Sequence, residues 1–286
     1  MNRIITACIY LLSLLPFWLL YLLADLIYLV LYYIVRYRKG VVRQNLANAF
    51  PEKTAEERHK IERKFYRFLA DLVVECLKMP TMSLDEVAKH IKLTNPEEIL
   101  QYIKSGRSVI GVTGHYANWE FAIYGVSLMA IDPFLVIYKP LSNKPFEEIY
   151  NKIRGRFGAI LVPMKQTLRK IVEYRKFPHI SIFVTDQTPG KHDNSHYIQF
   201  LNQETLVFLG SEKIARITDS PVVYCHIDRV KRGHYSCTFT TLSSNPTETA
   251  EFEITHLHSK FLENIIRQKP ELWLWSHRRW KHSPSK

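Results

Sequence analysis

The 286-residue chain has few cysteines, and Cys8, Cys76, Cys225 and Cys237 form no CxxC pair. Their apolar or strand-like contexts suit small core residues in a reducing compartment, and no metal site is expected. No GxSxG elbow is present and no cysteine stands in a recognisable nucleophile setting, so a covalent acyl-enzyme has no evident carrier. Internal repeats, low-complexity tracts and a convincing interdomain linker are also missing. Acids are in short supply: 27 Asp and Glu stand against 39 Lys and Arg, a net charge of +12. The excess favours an anionic partner, whether nucleic acid, anionic membrane, phosphorylated lipid or acidic carrier protein, and charge alone does not choose among them.

The first 37 residues narrow that choice. Ile4 to Val35 is a 32-residue apolar run whose one charge is Asp25. As one helix it would be about 48 Å long at ~1.5 Å per residue, whereas a bilayer core needs only ~20 residues. The run must therefore tilt, break at Pro16 or lay one end in the interface. It is too long for a signal peptide, and no small-x-small cleavage site follows it. Arg36, Arg38, Lys39 and Arg43 follow directly, against Arg3 and the amino terminus on the other flank. By the positive-inside rule the remainder of the chain is cytoplasmic. Tyr28, Tyr32, Tyr33 and Tyr37 suit an aromatic belt. Residues 1–37 are thus expected to form a transmembrane or membrane anchor. Residues 38–286 form one catalytic-sized domain, with a helical extension over 38–105 and an α/β core over 106–286.

Past the anchor, a loop leads to an amphipathic helix. Thr54 and Glu57 have capping-box spacing, and Ile61, Phe65, Phe68, Leu69, Leu72 and Cys76 recur at helical intervals until Pro80. From "SVIGVTG" onward, strands and helices alternate. "FLVIYK", "AILVP", "HISIFVTD" and "PVVYCHI" read as strands, and "YSCTFTTL" as a hairpin partner of the last. "PFEEIYNKIRGRFG", "QTLRKIVEYRKF", "SEKIARITD" and "EITHLHSKFLENIIRQK" read as helices. The pattern predicts an α/β fold, a mixed central sheet with helices on both faces, preceded by the membrane-anchoring helix.

"GHYANWE", Gly114 to Glu120, follows the first core strand. Open α/β sheets bind ligands at the carboxyl ends of strands, and Gly111 and Gly114 allow a tight turn and close approach of substrate. His115 and Glu120 are five apart, about 140° on a regular helix, so they can pair only if His115 precedes the helix and Glu120 lies in its opening turns. Glu120 would then accept a hydrogen bond from one imidazole nitrogen and leave the other basic. Such a dyad suits deprotonation of a hydroxyl. By itself the spacing is weak, since an ordinary surface or core histidine would match it.

Several ordered blocks add weight. "GHYANWE" resembles the H-x4-(D/E) motif of glycerolipid acyltransferases, and its HxxNWE form resembles the late acyltransferases of lipid A biosynthesis, the lauroyl- and myristoyltransferase group. "RKGVVRQNLANAFPEKTAEE", "IYKPLSNKPFEEIYNKIRGRFG", "VTDQTPG" and "ELWLWSHRRWK" resemble further segments of that family, from the anchor to about Lys281. The resemblance implies an inner-membrane enzyme working on the cytoplasmic face. It would move a fatty acyl chain from acyl carrier protein to a hydroxyl of a lipid A precursor, with no cofactor. His115 would be the general base and Glu120 its orienting acid. Asn118 would shape the site, Arg154 and Arg156 would bind phosphate or an oxyanion, and Asp186 and Gln187 would face the same cleft. The loop "QTPGKHDNSHY" departs from the family pattern. A related glycolipid, phosphoglycolipid or aminolipid acceptor, or a non-catalytic lipid-binding protein, remain alternatives. "WLWSHRRWKH" has the composition of a nucleic-acid binder, but after an anchor it is expected to bind head groups or pack on the sheet, and no nucleic-acid partner is expected.

Overall fold

A computed structural model describes residues 2–190 and 195–282. Part of the divergent loop after Gln187 lies outside the described residues, as does the side chain of Arg3. The apolar run is broken where Pro16 cannot continue the hydrogen-bond ladder. It forms α1 (Asn2–Ser13) and α2 (Phe17–Leu29), the latter prolonged by a π turn over Val30–Ile34. The stretch Phe17–Ile34 has a mean hydropathy of 1.9 and is long and apolar enough to cross a membrane. One face of α2, with Leu20, Ala24 and Tyr28, is buried against the domain, while Trp18, Leu22, Leu26 and Leu29 are exposed. Its lone acid, Asp25, pairs with Arg232 at 2.7 Å.

The segment expected to be a loop after the anchor is partly α3 (Lys39–Ala49). The long helix α4 (Ala55–Lys78) starts at the expected capping box: Thr54 accepts from the Glu57 amide at 3.2 Å and the Glu57 carboxylate accepts from the Thr54 amide at 2.7 Å. Its periodic apolar residues Ile61, Phe65, Phe68 and Leu72 are buried. Short helices α5 (Leu84–His90) and α6 (Glu97–Lys104) flank strand β1 (Ile91–Leu93), and the α/β core follows.

That core alternates β2 (Val109–Thr113), α7 (Trp119–Ser127), β3 (Phe134–Tyr138), α8 (Lys144–Arg154), β4 (Ala159–Pro163), α9 (Thr167–Glu173) and β5 (Ile180–Val184). A hairpin of β6 (Ser195–Phe200) and β7 (Gln203–Phe208) precedes α10 (Gly210–Thr218), the paired strands β8 (Val222–Lys231) and β9 (His234–Ser243), and α11 (Glu253–Gln268). Seven strands form one sheet in the order β1-β9-β8-β2-β5-β3-β4. Strands β8, β2, β5, β3 and β4 run parallel, and β9 turns back antiparallel to β8. Nearly every residue of β2, β3 and β5 is buried, as strands covered on both faces must be.

One register positions the site. Thr113, the last residue of β2, lies opposite Val184, the last of β5. Two residues beyond each strand end, His115 and Asp186 therefore stand side by side. Gly114 permits this, because a Cβ there would meet Leu262 at 2.8 Å and Asp186 Oδ2 at 3.3 Å.

Candidate active site

His115 and Asp186 make two hydrogen bonds. The imidazole Nδ1 lies 2.6 Å from Asp186 Oδ1, and the His115 amide donates to Oδ2 at 2.9 Å. Trp273 Nε1 donates to Oδ2 at 2.7 Å. Burial would raise the Asp186 carboxyl, but the His115 imidazole and these donors outweigh it and hold the group well below the usual carboxylate range. A carboxylate so held fixes a proton on Nδ1 and leaves Nε2 as the basic nitrogen. Nε2 sits 3.0 Å from the side-chain amide of Gln187.

The expected bond between His115 and Glu120 is replaced by this arrangement. Glu120 lies in the first turn of α7, and both its oxygens are engaged elsewhere. Arg154 donates through Nε at 2.8 Å and Nη2 at 2.5 Å, and Trp119 Nε1 donates at 2.8 Å. The physical reason is local. His115 precedes Ala117, which turns the chain with φ of 48°, so the imidazole faces β5 while the first turn of α7 faces α8. Burial disfavours the Glu120 charge, yet Arg154 more than offsets it and keeps the carboxyl ionised. Glu120 reaches His115 indirectly: Trp119, held by Glu120, packs edge-on against the imidazole with ring centroids 4.9 Å apart.

The remaining expected residues divide. Arg154 lines the cavity described below, but its guanidinium is committed to Glu120 and stacks on Tyr150 at 4.3 Å. Arg156 is turned away and ties down the carbonyls of Met79, at 3.1 Å, and Met82. Asn118 caps α7 by accepting from the Phe121 amide at 2.9 Å and donates to Glu75 at 2.6 Å. Gln187 and Asp186 are both at the imidazole, Asp186 as its partner rather than as a contact for substrate alone.

The C-terminal aromatic segment is part of the site, which its composition did not reveal. Tyr116 and Trp273 form an isolated bridge, the Ala117 amide donates to the Leu272 carbonyl at 2.9 Å, and the Leu274 amide donates to the His115 carbonyl at 3.2 Å. Trp273 and Trp275 are fully buried. Arg279 is buried too and donates to the Leu206 carbonyl at 2.7 Å, so it braces the β6–β7 hairpin.

An apolar cavity of about 290 Å³ adjoins the imidazole. His115, Trp119 and Gln187 border it, and its walls include Val126, Val136, Ile182, Cys225 and Phe239. Among the described residues no group of three or more His, Cys, Asp or Glu side chains is arranged to hold a metal. A half-buried His115 imidazole paired with the buried Asp186 at the ends of two core strands, beside an apolar cavity, defines an α/β enzyme suited to proton abstraction next to an apolar substrate.

Comparison with known proteins gives that class its family. A family model described as bacterial lipid A biosynthesis acyltransferase matches residues 3–282, and the chain belongs to that family. The lipid A biosynthesis palmitoleoyltransferase of Escherichia coli (strain K12) is 25% identical over 249 residues, covering 86% of this chain and 80% of the relative. The lipid A biosynthesis lauroyltransferase of the same organism is 22% identical over 250 residues, with the same coverage of 86% and 80%. A lipid A biosynthesis acyltransferase of Haemophilus influenzae is 19% identical over 236 residues, 81% of this chain and 72% of the relative.

Proposed function

We propose that this acyltransferase moves a fatty acyl chain from acyl carrier protein to a hydroxyl of a lipid A precursor, at the cytoplasmic face of the inner membrane. The observation that carries the mechanism is the His115–Asp186 pair, whose Nε2 borders an apolar cavity. His115 is the general base. Its Nε2 takes the proton of the acceptor hydroxyl as the oxygen attacks the thioester carbonyl. The tetrahedral adduct collapses, the C–S bond breaks, and the imidazolium returns the proton to the departing thiolate. Asp186 holds the tautomer and stabilises the transient imidazolium. Glu120 and Arg154 act as a clamp that sets Trp119, and through it the imidazole ring. Gln187 yields Nε2 when the acceptor enters. The apolar cavity takes the acyl chain, and the exposed apolar faces of α1 and α2 attach the enzyme to the membrane.

The direct test is transfer by the purified full-length protein, with acyl carrier protein thioester and a lipid A precursor in mixed micelles, read by mass spectrometry of both lipid and protein. The expected result is an acylated lipid and an unmodified protein. Recovery of an acylated protein intermediate, or full turnover by His115→Ala, would overturn the direct-transfer mechanism.

A further inference from the structure

One buried carboxylate has no part in the steps above. Glu75, on α4, is fully buried and outside the cavity lining. Its Oε2 accepts from Asn118 Nδ2 at 2.6 Å and from the Tyr235 hydroxyl at 2.6 Å. Its Oε1 accepts from the Tyr21 hydroxyl at 3.0 Å. The donors come from three elements: the cap of α7, strand β9 and helix α2 of the N-terminal segment.

No cation answers this carboxylate directly among the described residues. Asp71, one turn earlier on α4, takes Arg229 of β8 and Arg232 of the turn between β8 and β9, each at 2.6 Å. Burial accordingly pushes the Glu75 carboxyl up to about 7, with Tyr235, Asn118 and Arg229 opposing and Asp71 reinforcing the rise. A buried acid with only neutral donors is expensive, and an apolar side chain would avoid that cost. What the acid provides is a shared acceptor for groups that have no bond to one another. Asn118 is the informative member: its other amide atom caps α7, whose first turn carries Trp119 and Glu120, and it lies three residues beyond His115.

We propose that Glu75 is a positioning residue for acyl transfer, holding Asn118 so that docking of the N-terminal helix α2 sets the geometry of the turn that carries His115. The proposal rests on the reading of His115 as the base. The N-terminal segment then does more than attach the enzyme: Tyr21 completes the set of donors that fixes the catalytic turn.

The experiment is steady-state kinetics on full-length Glu75→Leu, Glu75→Gln, Tyr21→Phe and the double variant Tyr21→Phe/Glu75→Leu, with the folded fraction measured by circular dichroism and His115→Ala as reference. Misplacement of a reacting group by ~1 Å can cost ~10²-fold, so Glu75→Leu is expected to lower kcat by about that factor per folded molecule, with KM little changed. Glu75→Gln keeps an acceptor for Asn118 and Tyr235 and is expected to restore most of kcat. Tyr21→Phe is expected to lower kcat several-fold alone and to add nothing in the Glu75→Leu background. Wild-type kcat in folded Glu75→Leu, no rescue by Gln, or a Tyr21→Phe effect that persists in the double variant would overturn the proposal. If Glu75→Leu does not fold, Tyr21→Phe and Glu75→Gln still decide it, since unchanged kcat in Tyr21→Phe or a Gln variant as poor as His115→Ala contradicts the positioning role. Retained turnover in His115→Ala would instead remove the base assignment, a separate result.

Discussion

Trp273 and the backbone of His115 share a single oxygen atom: Asp186 Oδ2 accepts Trp273 Nε1 at 2.7 Å and the His115 amide at 2.9 Å, which leaves Oδ1 to the imidazole at 2.6 Å. The carboxylate is thereby fixed in plane and orientation from three directions. Substitutions at its partners should separate what supplies charge from what supplies alignment.

Asp186→Asn keeps the size of the side chain but presents an amide to the imidazole, disfavouring the tautomer with a basic Nε2. General-base catalysis is worth about 10²–10⁴-fold, and Asp186→Asn and His115→Ala should each lose an amount in this range in kcat. Combining them should cost little more than His115→Ala alone, because the pair acts as one unit. Trp273→Phe leaves Oδ2 its backbone donor and should be milder, about tenfold, the worth of a hydrogen bond to a charged group. Losses that simply multiply in the double variant would contradict a shared role.

Removing the Glu120 charge should act mainly through Arg154. Breaking a buried pair by deleting one partner typically costs about 3–5 kcal/mol, so Glu120→Gln should show a clear fall in thermal midpoint as well as in turnover. Glu120→Leu/Arg154→Met should regain stability without regaining turnover, since Trp119 Nε1 then has no acceptor at residue 120. Calorimetry and transfer assays on the same preparations separate the two effects.

The Glu75 carboxyl links stability to pH. Burial raises it to about 7 from an ordinary value of 4.5, so the folded protein keeps a proton there that the unfolded chain has released. The contribution of neutral Glu75 is whole below pH 4.5 and is lost as pH rises through 7. Above that, the ionised form costs on the order of 3 kcal/mol, at ~1.4 kcal/mol per tenfold change in proton affinity. The midpoint of Glu75→Gln relative to wild type should therefore rise between pH 5 and pH 8. A gap constant over that window would show that Glu75 titrates as an ordinary acid.

Two histidines act in the opposite sense. Burial lowers His258 and His277 to about 4 from 6.5, so their neutral forms stabilise the fold above pH 6.5 and that contribution is lost as pH falls through 4. His258→Asn should flatten the acid limb of the stability curve, measured by urea unfolding between pH 4 and pH 7.

Charge should govern the encounter with substrates. The net charge is +12, and exposed charges are screened beyond ~8 Å at physiological ionic strength. KM for an acidic carrier-protein thioester should climb with added salt while kcat changes little. A KM indifferent to salt would argue against electrostatic docking.

Much of the core could be read from residue patterns because its strands are continuous apolar runs bounded by helical periods. Val109–Thr113, Phe134–Tyr138, Ala159–Pro163 and Ile180–Val184 fall within the expected segments. The β6–β7 hairpin escaped notice because its two-residue turn, Leu201–Asn202, has positive φ at both residues without the usual glycine. Alternation of buried Ile198 and Phe200 on one strand, and of buried Thr205 and Val207 on the other, was the available signal. At the site, His115 was legible from its place after a strand, but its partner was not. Local spacing favours Glu120, whereas Asp186 reaches His115 only through the register of β2 with β5. Trp273 was harder still, since its bond to Asp186 depends on a third segment folding back over the strand ends.

His115 and Asp186 are 71 residues apart in the chain, yet their strands are neighbours, because everything between them is an excursion to one edge of the sheet and back. That excursion supplies cavity-wall residues such as Val136, Tyr138, Leu141, Tyr150 and Met164, but neither member of the pair. Part of the cavity wall is thus carried on a stretch of chain that contains neither His115 nor Asp186. Substitutions or short insertions within residues 128–179 that spare Arg154 can remodel that part of the wall while the register that joins His115 to Asp186 stays as it is, so the shape of the cavity can drift without disturbing the pair at its mouth.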